Sequence, residues 1–354
     1  MEQGFWNTIK RPIVCLAPMA DVTDAAFRYM ITKYSKYGGQ DIGAYGAPAP
    51  TVPATGGPDI TWTEFVSADG LFLGGKSALM RDLLYTEAER PVVAQFFSPD
   101  PARMKRAAEL AVELGFDGID INMGCPDRSI CKQGAGAALI RTPDRAREVI
   151  EATVEGAGTV PVSVKTRAGY ASDDELDTWM ELLLDMDLAA VTLHARTRND
   201  MSKVPARWEL VRRAVELRDR RKSKTLIIGN GDVMSVHDAL ERVAYSGADG
   251  VMIGRGIFGN PWLFADLPRA KQGGCGPYTP TIEERLRVMV EHTALFEELL
   301  GHHKSFALMK KHYKAYVSGW DGSKELRSRL MEAESAAEVE AVVDRYLLSK
   351  NLTE

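Results

Sequence analysis

Eight short apolar runs, rich in Val and Ile and separated mostly by segments of helical spacing, constrain this chain more than any other feature. They are Ile13 to Ala17, Ile60 to Val66, Pro91 to Phe97, Gly118 to Ile121, Val160 to Lys165, Ala189 to His194, Thr225 to Gly229 and Gly250 to Ile253. Most are apolar at successive positions and not only at alternate ones. That is the pattern of a parallel strand covered on both faces. Parallel neighbours need a crossover connection, usually a helix, and helical segments stand where crossovers are needed. One follows from about Thr23, with Asp24 in its first turn. Others span Pro101 to Leu114, which Gly115 stops, and Pro143 to Gly156, with proline in the first turn. Asp174 to Met186, Trp208 to Arg221 and Ser235 to Ser246 complete the set.

Eight strands alternating with helices predict an α/β chain built on a (β/α)8 barrel. A doubly wound sheet is the alternative, but no GxGxxG follows the first strand, which argues against a dinucleotide-binding version of it. Residues 38 to 60, rich in Gly, Pro, Ala and Thr, read as a long irregular loop. Lys271 to Pro280 reads as a linker. Beyond it the chain is expected to be wholly helical, with Ile282, Leu286, Met289 and Val290 on one face. Phe306, Met309, His312 and Tyr313 form a second such face, and Val339, Val342, Val343, Tyr346 and Leu347 a last amphipathic helix. The expected domains are therefore a catalytic barrel over 1–270 and an all-helical domain over 281–354.

Composition excludes several classes. No run approaches the ~18 apolar residues of a membrane span, and the first residues lack the basic-then-apolar order of a signal peptide. Four cysteines (Cys15, Cys125, Cys131, Cys275) in 354 residues make no disulfide framework, and none forms a CxxC pair. A cytoplasmic location without a structural metal is expected. The net charge of −5 argues against a nucleic-acid partner, but the charge is unevenly spread. Between residues 301 and 330, Lys304, Lys310, Lys311, Lys314, Lys324, Arg327 and Arg329 face only Asp321 and Glu325. A basic patch of this kind on an acidic body suits a polyanion.

The chemistry is expected at the C-terminal ends of the strands, where barrels of this kind carry their active sites. Asn122-Met123-Gly124-Cys125-Pro126 breaks the fourth strand abruptly, so Cys125 sits on a tight loop. The alternative is a buried cysteine acting as a small hydrophobe. Gln95 ends the third strand and Lys165 the fifth, with Arg167 just after. His194 ends the sixth, with Arg196 and Arg198 beyond it. Asn230-Gly231-Asp232 follows the seventh and Gly254-Arg255-Gly256 the eighth. Loops after the last two strands are the usual phosphate cradle of the fold, and their glycines let backbone N–H groups approach an anion. Lys165 inside a barrel needs a partner. A cofactor that becomes anionic, such as a reduced flavin, is one. An ion pair with Asp120 is the other.

These motifs resemble one family. Ala17 to Asp24 (APMADVTD), Gln95-Phe96, Asn122-Met123-Gly124-Cys125-Pro126, Lys165-Thr166-Arg167-Ala168-Gly169, His194-Ala195-Arg196-Thr197-Arg198, Gly229-Asn230-Gly231-Asp232 and Gly254-Arg255-Gly256 together resemble the tRNA-dihydrouridine synthases. The match runs from about residue 11 to 350, and the basic tail is similar to the family's helical RNA-binding domain. The resemblance implies an FMN-dependent reductase using NADPH, acting on the C5–C6 double bond of particular uridines in tRNA. It implies that Pro18, Met19 and Ala20 line the flavin, that Gln95 and Lys165 bond its ring and that His194 contacts it. Asn230, Gly231, Asp232, Gly254 and Arg255 would hold ribityl and phosphate. Cys125 would donate the proton. Asn122, Lys310 and Lys311 would serve the RNA substrate, Arg167 and Arg196 would face the substrate RNA or the flavin, and a monomer is expected. The chain departs from the family in its longer 38–60 loop and in Asn199 to Val204, which lacks the aromatic and glycine pattern often seen there. Cys131 reads as incidental.

The chemistry agrees with this picture. A hydride delivered to uracil C6 leaves charge developing toward C5, and a thiol with an ordinary pKa near ~8.5 is mostly protonated at neutral pH and can neutralise it. A stacked uracil cannot reach a barrel mouth, so the base must be flipped out or the RNA opened. That requires a second surface holding phosphates, for which the basic helical segment is the candidate. A flavin barrel acting on a small molecule, similar to dihydroorotate dehydrogenase, and a non-catalytic RNA-binding factor are the alternatives.

Overall fold

The computed structural model describes residues 4–274 and 278–351; Cys275 and the last three residues of the chain lie outside this range. Along the chain run β1 (Ile13–Leu16), α1 (Ala25–Ile31), β2 (Thr61–Ser67), α2 (Ala68–Phe72), α3 (Lys76–Leu79), β3 (Val92–Phe97), α4 (Pro101–Glu113) and β4 (Gly118–Met123). Then come α5 (Arg128–Lys132), α6 (Pro143–Ala157), β5 (Val162–Arg167), α7 (Leu176–Leu184), β6 (Ala190–His194), α8 (Trp208–Arg221), β7 (Leu226–Asn230), α9 (Val236–Ser246), β8 (Gly250–Ile253) and α10 (Leu267–Ala270). The chain ends in α11 (Ile282–Leu300), α12 (Met309–Tyr316), α13 (Ser323–Leu330) and α14 (Ala336–Asn351).

Local chemistry accounts for the helix starts. Asp100 accepts from the backbone of Ala102 and Arg103, with Pro101 in the first turn of α4. Ser235 caps α9, and Gly247, at φ 72°, closes it in the left-handed region. Thr281 and Glu284 form a reciprocal capping box at α11.

Contacts divide the chain into two compact units. The first comprises 1–20, 58–85 and 89–255; the second comprises 21–57, 86–88 and 256–354. The first unit holds the eight strands, without 21–57, 86–88 and 256–270, which the expected division placed with the barrel. Its eight strands are all parallel in the order β1-β8-β7-β6-β5-β4-β3-β2, and a parallel bridge between Cys15 and Ile60 joins β1 to the start of β2. Leu16 N–H donates to Ile60 O across that junction at 3.2 Å. One cluster, including Trp6, Ile13, Cys15, Trp62, Val93, Ala190, Leu226, Ile228 and Met252, packs the interior. Two strand boundaries differ from the sequence reading. Gln95 lies within β3, not at its end, because it pairs in register with Asp120 of β4. β5 runs on through Arg167, which pairs with His194.

The second unit holds the C-terminal helices together with α1. Phe27 of α1 stacks on His292 of α11, ring centroids 4.9 Å apart, and lies 4.8 Å from His312 of α12. Lys33 pairs with Glu291 at 2.6 Å, and Tyr34 donates to the same carboxylate at 2.5 Å. Residues 38–59 carry no helix or strand, as expected. Thr55 N–H to Lys36 O (2.8 Å) and Gly57 N–H to Phe264 O (3.1 Å) tie that loop down. The buried face of α11 runs through Leu286, Met289, His292, Thr293, Phe296 and Leu300. Ile282, expected on it, stands exposed in the first turn, ahead of the point where the helix is covered. On α12, Met309, His312, Tyr313 and Tyr316 are buried, which leaves Lys310, Lys311 and Lys314 to the other face.

Candidate active site

Parallel register builds the site in rows. Residues paired across neighbouring strands point the same way, and every second residue along a strand shares a face. Gln95, Asp120, Ser163 and Ala190 form one row. Asn122, Lys165, Thr192 and Ile228 form the next toward the C-terminal ends, and Arg167, His194, Asn230 and Met252 the next again. Each row carries three polar side chains and one apolar one, and the charge changes from negative at Asp120 to positive at Lys165 and Arg167 toward the C-terminal ends.

A cavity of about 280 Å³ opens at this end. It is lined by Ala17, Pro18 and Met19 after β1, by Pro126, by Lys165 and Arg167 of β5, by His194, by Met201 and Ser202, by Asn230 to Met234, and by Gly254 and Arg255. Ten of the expected site residues thus share one space: Pro18, Met19, Lys165, Arg167, His194, Asn230, Gly231, Asp232, Gly254 and Arg255. Ala20 is exposed outside the lining, and Gln95, Asn122, Cys125 and Arg196 stand behind it.

The cavity is cationic. Lys165 Nζ donates to Asn230 Oδ1 at 3.3 Å. Asp120 does not form the ion pair with it that was the alternative; its oxygens take Gln95 Nε2 and Ser163 Oγ, each at 2.5 Å. Burial, with the nearby Arg167 charge, lowers the Lys165 pKa to about 8, against the pull of Asp120. Burial, then the charges of Arg167, Lys165 and Arg196, hold His194 well below its ordinary value, so its imidazole is neutral at pH 7. Arg196 Nη1 lies 3.1 Å from His194 Nε2. A guanidinium only donates, so Nε2 accepts and the ring proton sits on Nδ1.

Two arginines expected at the substrate RNA or the flavin turn out to brace the walls. Arg196 is 2% exposed; its Nε donates to Val204 O at 2.7 Å and its Nη2 pairs with Asp232. Asp232, in the left-handed region at φ 51°, also takes Arg255 at 2.7 Å and Ala206 N–H at 2.9 Å. Arg167 donates through Nε to Gly124 O (2.7 Å) and through Nη1 to Thr197 O (3.0 Å) and Met201 O (3.1 Å). It thereby links the cysteine loop to the 197–201 loop. Gly231, at φ 126°, comes so close to Ala206 and His194 that a Cβ there would stand 2.8 and 3.1 Å from them.

Asn122 Oδ1 shapes the cysteine loop, accepting from Gly124 N–H at 3.1 Å and Cys125 N–H at 2.9 Å. This is an Asx turn, which the Asn-x-Gly-Cys order signals in the sequence. The half-buried Cys125 packs against Phe97, Ile130 and Ala135. Burial pushes its thiol above the ordinary value and keeps it protonated at neutral pH. Cys131 Sγ donates to Cys125 O at 3.6 Å. Met201, Ser202, Val233 and Met234 complete the lining and were not anticipated. Met201 adopts φ 50°, uncommon outside glycine, and Met234 is 62% exposed. Nothing in their local sequence marks either residue. Among the described residues no cluster of His, Cys, Asp and Glu could hold a metal, and no helix is long and apolar enough to cross a membrane.

Comparison with known proteins agrees with the resemblance read from the motifs. A family model described as Dihydrouridine synthase (Dus) matches residues 15–351. The chain is 36% identical over 348 residues to a probable tRNA-dihydrouridine synthase of Staphylococcus aureus (strain MRSA252), covering 98% of this chain and 96% of the relative. It is 35% identical over 348 residues to a probable tRNA-dihydrouridine synthase 2 of Bacillus subtilis (strain 168), covering 98% and 97%. Among solved structures, TcOYE with pHBA superposes with a TM-score of 0.52 at 10% identity, over 82% of this chain and 95% of that one, a likeness of fold alone. With its motifs in order and matching relatives along nearly its whole length, the chain belongs to the dihydrouridine synthase family.

Proposed function

We propose that this protein reduces specific uridines of tRNA to 5,6-dihydrouridine, with FMN as cofactor and NADPH as the source of reducing equivalents. The observation that carries the reading is a cationic cavity at the barrel mouth beside a loop that holds a protonated thiol.

The residues present fit a flavin. Lys165, with no carboxylate paired to it among the described residues, suits a ring that gains negative charge, and His194 brings a neutral ring whose Nδ1 carries a proton. Arg255, paired with Asp232 at 2.7 Å, would hold a ribityl phosphate together with the backbone of Asn230, Gly231 and Gly254. A Cβ added at Gly254 would meet Met19 Sδ at 3.6 Å and Ala17 Cβ at 3.7 Å, both of them lining residues, so the bare backbone keeps this corner open. Pro18 and Met19 offer apolar surface to a ring face, with Ala20 beyond them. Gln95, expected at the ring, is fully buried, and its amide bonds Asp120 and Asn122 instead.

A reduced flavin held by Lys165, His194 and the 230–232 and 254–255 turns would supply the hydride that uracil C6 needs. The protein's part is then the proton. Cys125 Sγ holds it, because burial disfavours the thiolate, and gives it to C5. Arg167, donating to the carbonyl of Gly124, keeps that loop in place and puts a positive charge near the thiolate that results. Lys310 and Lys311 on the outer face of α12, with no ion pair among the described residues, would hold backbone phosphates of the tRNA.

The test is Cys125→Ala. It is expected to retain flavin and NADPH oxidation while tRNA, read by mass spectrometry, lacks the two-hydrogen increment. Near-normal dihydrouridine from this variant would remove Cys125 from the role of acid.

A further inference from the structure

We propose that Asp120 is a positioning residue for Cys125, acting through the side-chain amides of Gln95 and Asn122. The proposal rests on the reading of Cys125 as proton donor.

The four residues form an unbroken chain of hydrogen bonds. Gln95 Nε2 donates to Asp120 Oδ2 at 2.5 Å, and Asn122 Nδ2 donates to Gln95 Oε1 at 3.0 Å. Asn122 Oδ1 is thereby left for the N–H groups of Gly124 and Cys125, at 3.1 and 2.9 Å. Asp120 and Gln95 are both 0% exposed, and Asn122 is 5% exposed.

The direction of donation is what the carboxylate supplies. An amide side chain is nearly symmetric in shape and can be turned end for end. If Gln95 and Asn122 both turned, their mutual hydrogen bond would survive. Asn122 would then aim its NH₂ at two backbone donors, and the loop carrying Cys125 would lose its cap. An ionised carboxylate has no proton to give, so it accepts only. Gln95 must face it with NH₂ and face Asn122 with oxygen, and the orientation of Asn122 follows. The second oxygen of Asp120 is satisfied by Ser163 Oγ at 2.5 Å, which anchors the chain to β5. A buried carboxylate is costly, and packing alone would be served better by an apolar residue of the same size. Its use here is as an acceptor that cannot be turned around.

The test uses the full-length protein and reads Cys125 directly. Iodoacetamide labelling of the Cys125 peptide is followed by mass spectrometry across a range of pH, for the wild type, Asp120→Leu and Asp120→Asn. Loss of the acceptor in Asp120→Leu is expected to loosen the loop and raise the labelling rate about fivefold, the equivalent of one net hydrogen bond of about 1 kcal/mol. The pH profile should shift with it. Asp120→Asn can still turn its oxygen to Gln95 and its NH₂ to Ser163, but it can also be turned around, so its labelling rate should fall between those of the wild type and Asp120→Leu. Wild-type rate and profile in Asp120→Leu would overturn the proposal, as would Asp120→Asn departing as far as Asp120→Leu. Should Asp120→Leu not fold, Gln95→Met breaks the middle link and leaves the carboxylate in place. It should show the same gain, and unchanged labelling there would also overturn the proposal. In turnover, Asp120→Leu is expected to lower kcat while KM for tRNA holds. Dihydrouridine formation by Cys125→Ala would refute the acid role alone, since labelling judges Asp120 without reference to product.

Discussion

Gly229 in β7 offers a measurable link between packing and the site. A Cβ at this position would lie 2.3 Å from Trp208 Cζ3, 2.6 Å from Trp208 Cη2 and 3.2 Å from Val211 Cγ1. Carbon atoms pack at about 3.5–4.0 Å, so strand or indole must move by about 1 Å or more. The indole has little freedom, for Trp208 is 2% exposed and its Nε1 donates to Gly231 O at 2.9 Å. Gly229→Ala therefore overpacks the β7–α8 layer, at about 1–3 kcal/mol, and strains or breaks a hydrogen bond worth about 1 kcal/mol. The sum, about 2–4 kcal/mol, corresponds to a fall in Tm of about 4–8 °C at about 2 °C per kcal/mol, the lower end of the range for large domains. Because Gly231 lines the cavity, bound flavin should fall as well. The assay is thermal unfolding by circular dichroism with flavin absorbance of the purified protein. Gly254→Ala is the contrast. Its Cβ makes only ordinary contacts, so its Tm should stay near the wild-type value while flavin retention drops. A Gly229→Ala protein that melts with the wild type would refute the packing argument.

The remaining predictions concern the second unit. His292 and His312 are fully buried, and none of their ring nitrogens has a hydrogen-bond partner among the described residues. Burial holds both neutral, His312 at about 3. With an unfolded pKa of about 6.5, the unfolded chain binds more protons below that value, so stability is greatest above pH 6.5 and is lost as pH falls toward 3; at pH 5 the loss is about 2 kcal/mol for His312, with His292 acting in the same direction. Urea unfolding at pH 7.5 and 5.0 measures it, and His312→Phe should remove the His312 part. Equal midpoints at the two pH values in the wild type would contradict the assignment. Lys310→Glu with Lys311→Glu should weaken tRNA binding and flatten its salt dependence by about one log–log unit per lysine, while NADPH-dependent flavin reduction continues. A gel-shift titration at several salt concentrations showing unchanged affinity would take α12 out of the RNA surface.

The strands and long helices were legible because their signals are local. Burial on both faces of Val191 or Ile227 follows from apolar neighbours along the run, and Asp100-Pro101 announces the start of α4. The short helices α2 and α3 were not legible, since five and four residues hold too little of a helical period to register. The site residues were recognisable as a set, but their individual duties were not. Arg196 is the same residue type as the exposed Arg255, yet it is walled in by Val204, His194 and Asp232.

Alternation of apolar runs and helical segments along the chain was enough to determine the barrel, and the break at Gly124 and Pro126 enough to put Cys125 on the loop after β4. Backbone preference and side-chain period act over a few residues, so they can be read without the fold. Which polar group meets which was decided by tertiary structure. Strand register sets Gln95 beside Asp120 and Arg167 beside His194, across 25 and 27 intervening steps of sequence, and burial then assigns each its charge. The partner of a buried polar group is a property of the neighbouring strand, and no window on its own strand contains it.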